Sequence, residues 1–125
     1  MQLVLKLSKS DAYRLLGIAP QRLEIWLHQF KAPDKRRPVV VLRKQTLINL
    51  LDYVTVAPIS STIHGSSTEV VVGIDEGLKN VSAINLTNVQ AVPKSTLVQF
   101  VGTLSNKQMK QVGDALSIAT GCNKE

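Results

Sequence analysis

The order of apolar and polar positions sets out a series of short strands closed by one helix. Leu23-Glu24-Ile25-Trp26-Leu27-His28-Gln29-Phe30 alternates aliphatic with other side chains and predicts a strand. Pro38 opens Val39-Val40-Val41-Leu42, a short, fully apolar strand. Strand character returns over Tyr53–Ile59, Glu69–Val72, Val81–Leu86 and Leu97–Leu104. Between these, Lys31–Arg37 reads as a polar turn containing Pro33 and Asp34, Ser60–Ser67 as a hydroxyl-rich loop, and Asp75-Glu76-Gly77 as a turn. Short helices are predicted over Ser8–Gly17, capped by Ser8 or Ser10, and over Gln45–Asp52, where Leu47, Ile48, Leu50 and Leu51 recur at helical spacing. The last element is the plainest. Ser105-Asn106-Lys107-Gln108 fits a capping box, Met109, Val112, Ala115, Leu116 and Ala119 form one apolar stripe, and Gly121 is placed to end the helix. This stripe is core packing rather than a cofactor box. About five to seven short strands with a closing helix predict a mainly β (α+β) domain, a small twisted sheet or partly closed barrel, rather than a parallel α/β fold.

Composition agrees with one domain. The chain has 125 residues, 44% of them apolar and 4% aromatic, so its core is aliphatic. One Cys excludes an intrachain disulfide and a Cys-rich zinc site, and two His make a His-rich metal site an unlikely use of this chain. No apolar run approaches the roughly 18–20 residues of a membrane span. The N-terminal MQLVLKLSKSD is too short and too charged for a signal peptide, so a cytoplasmic location is expected.

Charge changes the picture through its position. The formal net charge is +6. Residues 1–60 hold ten Lys/Arg against four Asp/Glu, whereas residues 61–125 hold five of each. Within the basic half, Lys31, Lys35, Arg36, Arg37, Arg43 and Lys44 fall in one short segment with only Asp34 against them. Such a segment serves either as a solvated loop or as an edge that contacts phosphates.

Few other residues carry chemistry. There is no Gly-rich phosphate loop, no nucleophile elbow and no metal-ligand cluster in the pattern. His28 falls in a strand and reads as a satisfied barrel residue; His64, beside Gly65, reads as exposed; Cys122 is incidental. Two polar clusters remain, each abutting a strand end: Asp34-Lys35-Arg36-Arg37 before Pro38, and Ser60-Ser61-Thr62 after Ile59. Guanidinium and hydroxyl groups brought together suit a phosphodiester, because Arg offers a planar fork of donors to the charge that grows in the transition state. If the 2′-hydroxyl of RNA is the nucleophile, the substrate supplies its own attacking group and no metal is required. On spacing alone, the same residues also suit a charged turn and a serine loop.

Arg36-Arg37-Pro38-Val39-Val40-Val41-Leu42, followed by Val54-Thr55-Val56-Ala57-Pro58-Ile59-Ser60-Ser61-Thr62-Ile63, resembles the MazF/PemK toxins of bacterial toxin–antitoxin systems. The likeness continues through Thr68-Glu69-Val70, Gly77-Leu78-Lys79, Asn85-Leu86-Thr87-Asn88-Val89-Gln90 and Val101-Gly102-Thr103-Leu104-Ser105. It assigns residues 22–122 to one toxin domain, with residues 1–21 an N-terminal extension lacking a family counterpart and 123–125 a tail. The resemblance implies an SH3-like or CcdB-like β-barrel acting as a homodimer. It also implies a metal-independent endoribonuclease without cofactors that cuts single-stranded RNA, usually mRNA, at a short sequence. The products expected are a 2′,3′-cyclic phosphate and a 5′-hydroxyl. The family's catalytic Arg maps to Arg37 and its catalytic Thr to Ser60. Lys35, Arg36, Ser61, Thr62 and His64 are candidate RNA contacts by adjacency and charge. The implied protein partner is a cognate antitoxin whose C-terminal segment fills the RNA groove. Departures are Leu23 before Glu24-Ile25-Trp26, a short loop from Phe30 to Arg37, His64 where many relatives have Arg, and Thr87 at a position often acidic. A CcdB-like gyrase poison and a non-catalytic RNA-binding relic are the competing readings.

Overall fold

The computed structural model describes residues 23–29, 35–42 and 52–121. Seven strands lie among these residues: β1 (Glu24–Gln29), β2 (Arg36–Val41), β3 (Tyr53–Ser60), β4 (Glu69–Val72), β5 (Ser82–Asn85), β6 (Gln90–Pro93) and β7 (Leu97–Thr103). They are followed by one helix, α1 (Asn106–Thr120). The strands join in the order β4-β5-β3-β2-β1-β7, and β6 pairs with β3. Every pairing is antiparallel. The mainly β, partly closed architecture expected from the sequence is therefore present. The helices expected over Ser8–Gly17 and Gln45–Asp52, the extension 1–21, Cys122 and the tail lie outside the described residues, save for Asp52, which sits in a bend.

β3 is the hub. One edge pairs with β2 through Val39↔Pro58, Val40↔Ala57 and Val41↔Val56. The other pairs with β6 over Tyr53–Val56 and then with β5 through Ile59↔Ile84 and Ser60↔Ala83. This division lets one long strand belong to two sheet segments that bend apart. Register shifts between Ile25/Trp26 and Leu27/His28 mark irregularities in the β1–β7 pairing, and such bulges raise the local twist of a strand.

Both faces of the sheet are buried, and the period-two alternation of its strands decides which residues go where. Ile25, Val40, Ala57, Ile59, Ile84 and Leu104 pack on one face together with Val112 and Ala115 of α1. Val39, Val41, Val54, Val56 and Val92 pack on the other, flanked by Trp26 and Leu97. Trp26 meets Phe100 edge-to-face with centroids 5.8 Å apart, and its Nε1 donates to Glu24 Oε1 at 2.9 Å, giving the buried carboxylate a partner. α1 is capped as its sequence predicts: Gln108 N donates to Ser105 Oγ at 3.1 Å and Ser105 N to Gln108 Oε1 at 2.9 Å. Gly121 ends the helix at φ 77°, the left-handed conformation that favours glycine.

Three boundaries differ from the pattern-based expectation. The polar turn expected to reach Arg37 stops earlier, since Arg36 and Arg37 already belong to β2 and pair with Gln29 and His28. Exposed polar side chains at a strand end look like a turn in sequence, while backbone pairing makes them strand. The hydroxyl loop begins one residue later than expected because Ser60 is the last residue of β3. Finally, β6 was not foreseen: only Val92 of its residues is buried, so it carries no alternation, and pairing with β3 defines it.

Candidate active site

The ladder between β2 and β3 ends at Val39↔Pro58. Two residues further along the same antiparallel register stand Arg37 and Ser60, the last opposed polar positions of the two strands. Both point to the face of Val39 and Pro58 because side chains alternate. Arg37 also pairs with His28 of β1, and Ser60 with Ala83 of β5, so His28, Arg37, Ser60 and Ala83 form one row across four strands. The sheet thereby brings together the two polar clusters that the sequence holds some twenty residues apart.

A cavity of about 230 Å³ opens on this row. Its walls include Arg37, Ser60, Thr62 and His64, four of the residues singled out from sequence. Lys35, Arg36 and Ser61 are exposed but do not line it. Arg36 precedes Arg37 in β2, and its side chain points to the other face. Arg36 Nε instead donates to Gln29 Oε1 at 2.8 Å. Glu69, Asn85 and Asn88 also line the cavity and were not foreseen. Glu69 begins β4 and Asn85 ends β5, and the two are register partners. Their signal was the alternation that sets Asn85 on the same side of β5 as Ala83, readable only once Ala83 is known to face Ser60.

Local hydrogen bonds prepare these groups. Ser60 Oγ accepts from Thr62 N at 3.0 Å, which occupies a lone pair and leaves the hydroxyl hydrogen to donate elsewhere. The Glu69 carboxylate accepts from the backbone amides of His64, Gly65 and Ser66 at 2.8–3.3 Å. Gly65 sits at φ 74°, so the chain can wrap this carboxylate. The loop that carries Thr62 and His64 is thus tied to the first residue of β4.

His28 is 6% exposed, and burial lowers its pKa from the ordinary imidazole value of 6.5. The neutral ring is therefore the form the fold holds. Above pH 6.5 the folded and unfolded chains both carry it neutral; as pH falls below 6.5 the unfolded chain gains a proton the fold resists, so stability drops until the lowered pKa is passed. Thermal melts of wild type should lose more Tm between pH 7.5 and 5, roughly the range around the ordinary imidazole value, than melts of His28→Gln. Equal losses in the two proteins would contradict this.

A larger cleft, about 860 Å³, runs between β4 and the start of α1. Among the described residues, Glu69, Asp75, Glu76 and Asp114 line it against Lys107 alone. An acidic wall repels a phosphate backbone, so the smaller Arg37 cavity is the better candidate. No described helix is long and apolar enough to cross a membrane.

Comparison with known proteins bears on the chain as a whole. Residues 21–120 match the family model of the PemK-like, MazF-like toxins of type II toxin–antitoxin systems. The chain is 37% identical over 107 residues to the probable endoribonuclease MazF5 of Mycobacterium tuberculosis, covering 84% of this chain and 96% of that protein. It is 36% identical over 86 residues to the endoribonuclease MazF3 of the same species, covering 69% and 84%. Among solved structures, the M. tuberculosis toxin MazF-mt6 superposes with a TM-score of 0.73 at 33% identity, covering 78% of this chain and 96% of that one. An endoribonuclease solved with its cognate antitoxin from a mycobacterial species shares the fold, with a TM-score of 0.72 at 19% identity and coverage of 86% and 100%.

Proposed function

The chain belongs to the PemK-like, MazF-like toxin family of type II toxin–antitoxin systems, and on that premise we propose that it is an endoribonuclease toxin whose cutting centre is the Arg37–Ser60 cavity. The observation that carries the assignment is the convergence of Arg37 and Ser60, from separate polar clusters, on one side of the β2–β3 pair. Its substrate is single-stranded mRNA in the cytoplasm. The 2′-hydroxyl attacks the adjacent phosphorus, the P–O2′ bond forms as the P–O5′ bond breaks, and the proton lost by the 2′-oxygen is balanced by one gained by the leaving 5′-oxygen. The products are a 2′,3′-cyclic phosphate and a 5′-hydroxyl. Arg37 directs its fork of donors at the non-bridging oxygens, where negative charge grows, and Ser60 adds a hydroxyl donor. Thr62 and His64 contact the strand beside the cut, with Lys35, Arg36 and Ser61 as outer contacts to the RNA backbone.

The enzyme acts as a homodimer and is held in check by a cognate antitoxin that covers Arg37. A neighbour of the same fold solved in complex with its cognate antitoxin supports this partner class. The endoribonuclease names of the relatives favour RNA cleavage over a gyrase poison and over a non-catalytic relic. Purified protein incubated with long mRNA in EDTA should yield discrete cuts, mapped by primer extension; RNA left intact would overturn the proposal. Ser60→Ala should slow cleavage about 100-fold, the usual cost of one transition-state donor, while Ser60→Thr keeps most activity because the hydroxyl remains. Equal rates for Ser60→Ala and wild type would remove Ser60 from the mechanism.

A further inference from the structure

Asn85 ends β5 on the side of the strand that faces Ser60, half-buried in the cavity wall. Its amide is fixed in one orientation. Thr87 N donates to Asn85 Oδ1 at 2.9 Å, and Thr87 Oγ1 donates to the same atom at 2.5 Å. A backbone N–H can only donate, so the atom it meets must be the oxygen, and the two hydrogens of Nδ2 are turned the other way. Beside Asn85, its register partner Glu69 has its carboxylate taken up by the amides of His64, Gly65 and Ser66. In this part of the wall the Nδ2 hydrogens of Asn85 are the donors on offer, while Glu69 Oε1 is already engaged by three amides.

From this arrangement we propose that Asn85 is a specificity-determining residue that selects, at one position beside the cut, an RNA base with a carbonyl at pyrimidine C4 or purine C6. Uracil and cytosine share a shape but differ there, as do guanine and adenine: uracil O4 and guanine O6 accept, whereas cytosine N4 and adenine N6 donate. The side chain is short and recessed, so the exocyclic atom, which protrudes furthest from the ring, is the one that meets it. A carbonyl completes the amide's hydrogen bonding. An amino group sets donor against donor and leaves both unsatisfied.

The inference rests on the ribonuclease reading above, and one experiment separates the two. A randomised single-stranded RNA pool is cut to low extent and the new ends are sequenced, giving base frequencies at every position around the cut. Wild type is expected to favour U and G over C and A at one position by about tenfold, the discrimination of a single well-placed hydrogen bond. Asn85→Ala should flatten the preference at that position and leave the others. Asn85→Asp should invert it, because the outer atom becomes an acceptor; where that variant cuts too slowly to be sequenced, the alanine variant decides. A wild-type protein that cuts nothing contradicts the ribonuclease reading itself. Cuts whose base preferences are the same in wild type and Asn85→Ala overturn the role of Asn85 alone.

Discussion

Arg37→Ala is expected to lower RNA cleavage by about three orders of magnitude or more while the protein stays folded. Among the described residues, Arg37 is the one Lys or Arg that lines the cavity. Removal of one oxyanion-type donor costs roughly 100- to 1,000-fold in rate, and Arg37 supplies a forked pair of charged donors. The loss should appear in kcat rather than KM, since the charge that Arg37 meets develops only in the transition state. Arg37→Lys should fall between the two, keeping the charge and losing the planar fork. Stability should move by less than about 0.5 kcal/mol, because the Arg37 side chain is exposed at the end of β2. Single-turnover cleavage of one oligonucleotide, with a thermal melt of the same sample, separates the effects. Wild-type rates in Arg37→Ala would place the chemistry elsewhere.

Gly102→Ala is expected to destabilise the fold by about 3 kcal/mol, a fall in Tm on the order of 10 °C. A Cβ on Gly102 would lie 2.9 Å from the carbonyl carbon of Glu76 and closer still to its oxygen. Both are backbone atoms that cannot swing aside as a side chain can. Gly77 meets the same strand from the other direction: its φ is 95°, and a Cβ there would lie 2.5 Å from Val101 O. The turn Ile74–Glu76 and β7 thus touch backbone to backbone, which only glycine permits. That turn joins β4 to β5, the strands that carry Glu69, Ala83 and Asn85 into the cavity, so RNA cleavage should decline with stability. Gly113→Ala is the contrasting control, since its Cβ meets nothing within 4 Å and an alanine in α1 should stabilise by about 0.5–1 kcal/mol. A Gly102→Ala protein that melts with wild type would contradict the close approach.

Much of this was legible in the chain before the fold was known, and the exceptions have physical causes. Strands with apolar alternation, such as Tyr53–Ser60 with Val54 and Val56 set about Thr55, declared themselves because burial on one face imposes a period of two. α1 did so because its caps and stripe are local. β6 did not, since its register with β3 defines it and that partner lies far away in sequence. The site divides in the same way. Arg37 and Ser60 each sit beside an apolar run and could be found by type, and the family likeness gave them roles. Asn85 and Glu69 are unremarkable in sequence. They become part of the site because β5 pairs with β3 and β4 with β5. Lys35, Arg36 and Ser61 were drawn in by charge and adjacency, which do not tell a cavity wall from the exposed surface next to it. Of the basic segment's described residues, Arg37 lines the cavity, whereas Lys35 and Arg36 are exposed and do not.

The most direct test of an RNA-cutting centre that uses its substrate's own nucleophile is a single-atom change in the RNA. An oligonucleotide carrying a mapped cut site is made twice, once as RNA and once with a single 2′-deoxy nucleotide immediately 5′ of the scissile phosphate. Wild-type protein should cut the first and leave the second intact at that bond. It should also release a 2′,3′-cyclic phosphate from the first, and Arg37→Ala should release none. Undiminished cleavage of the deoxy-substituted strand would contradict the account.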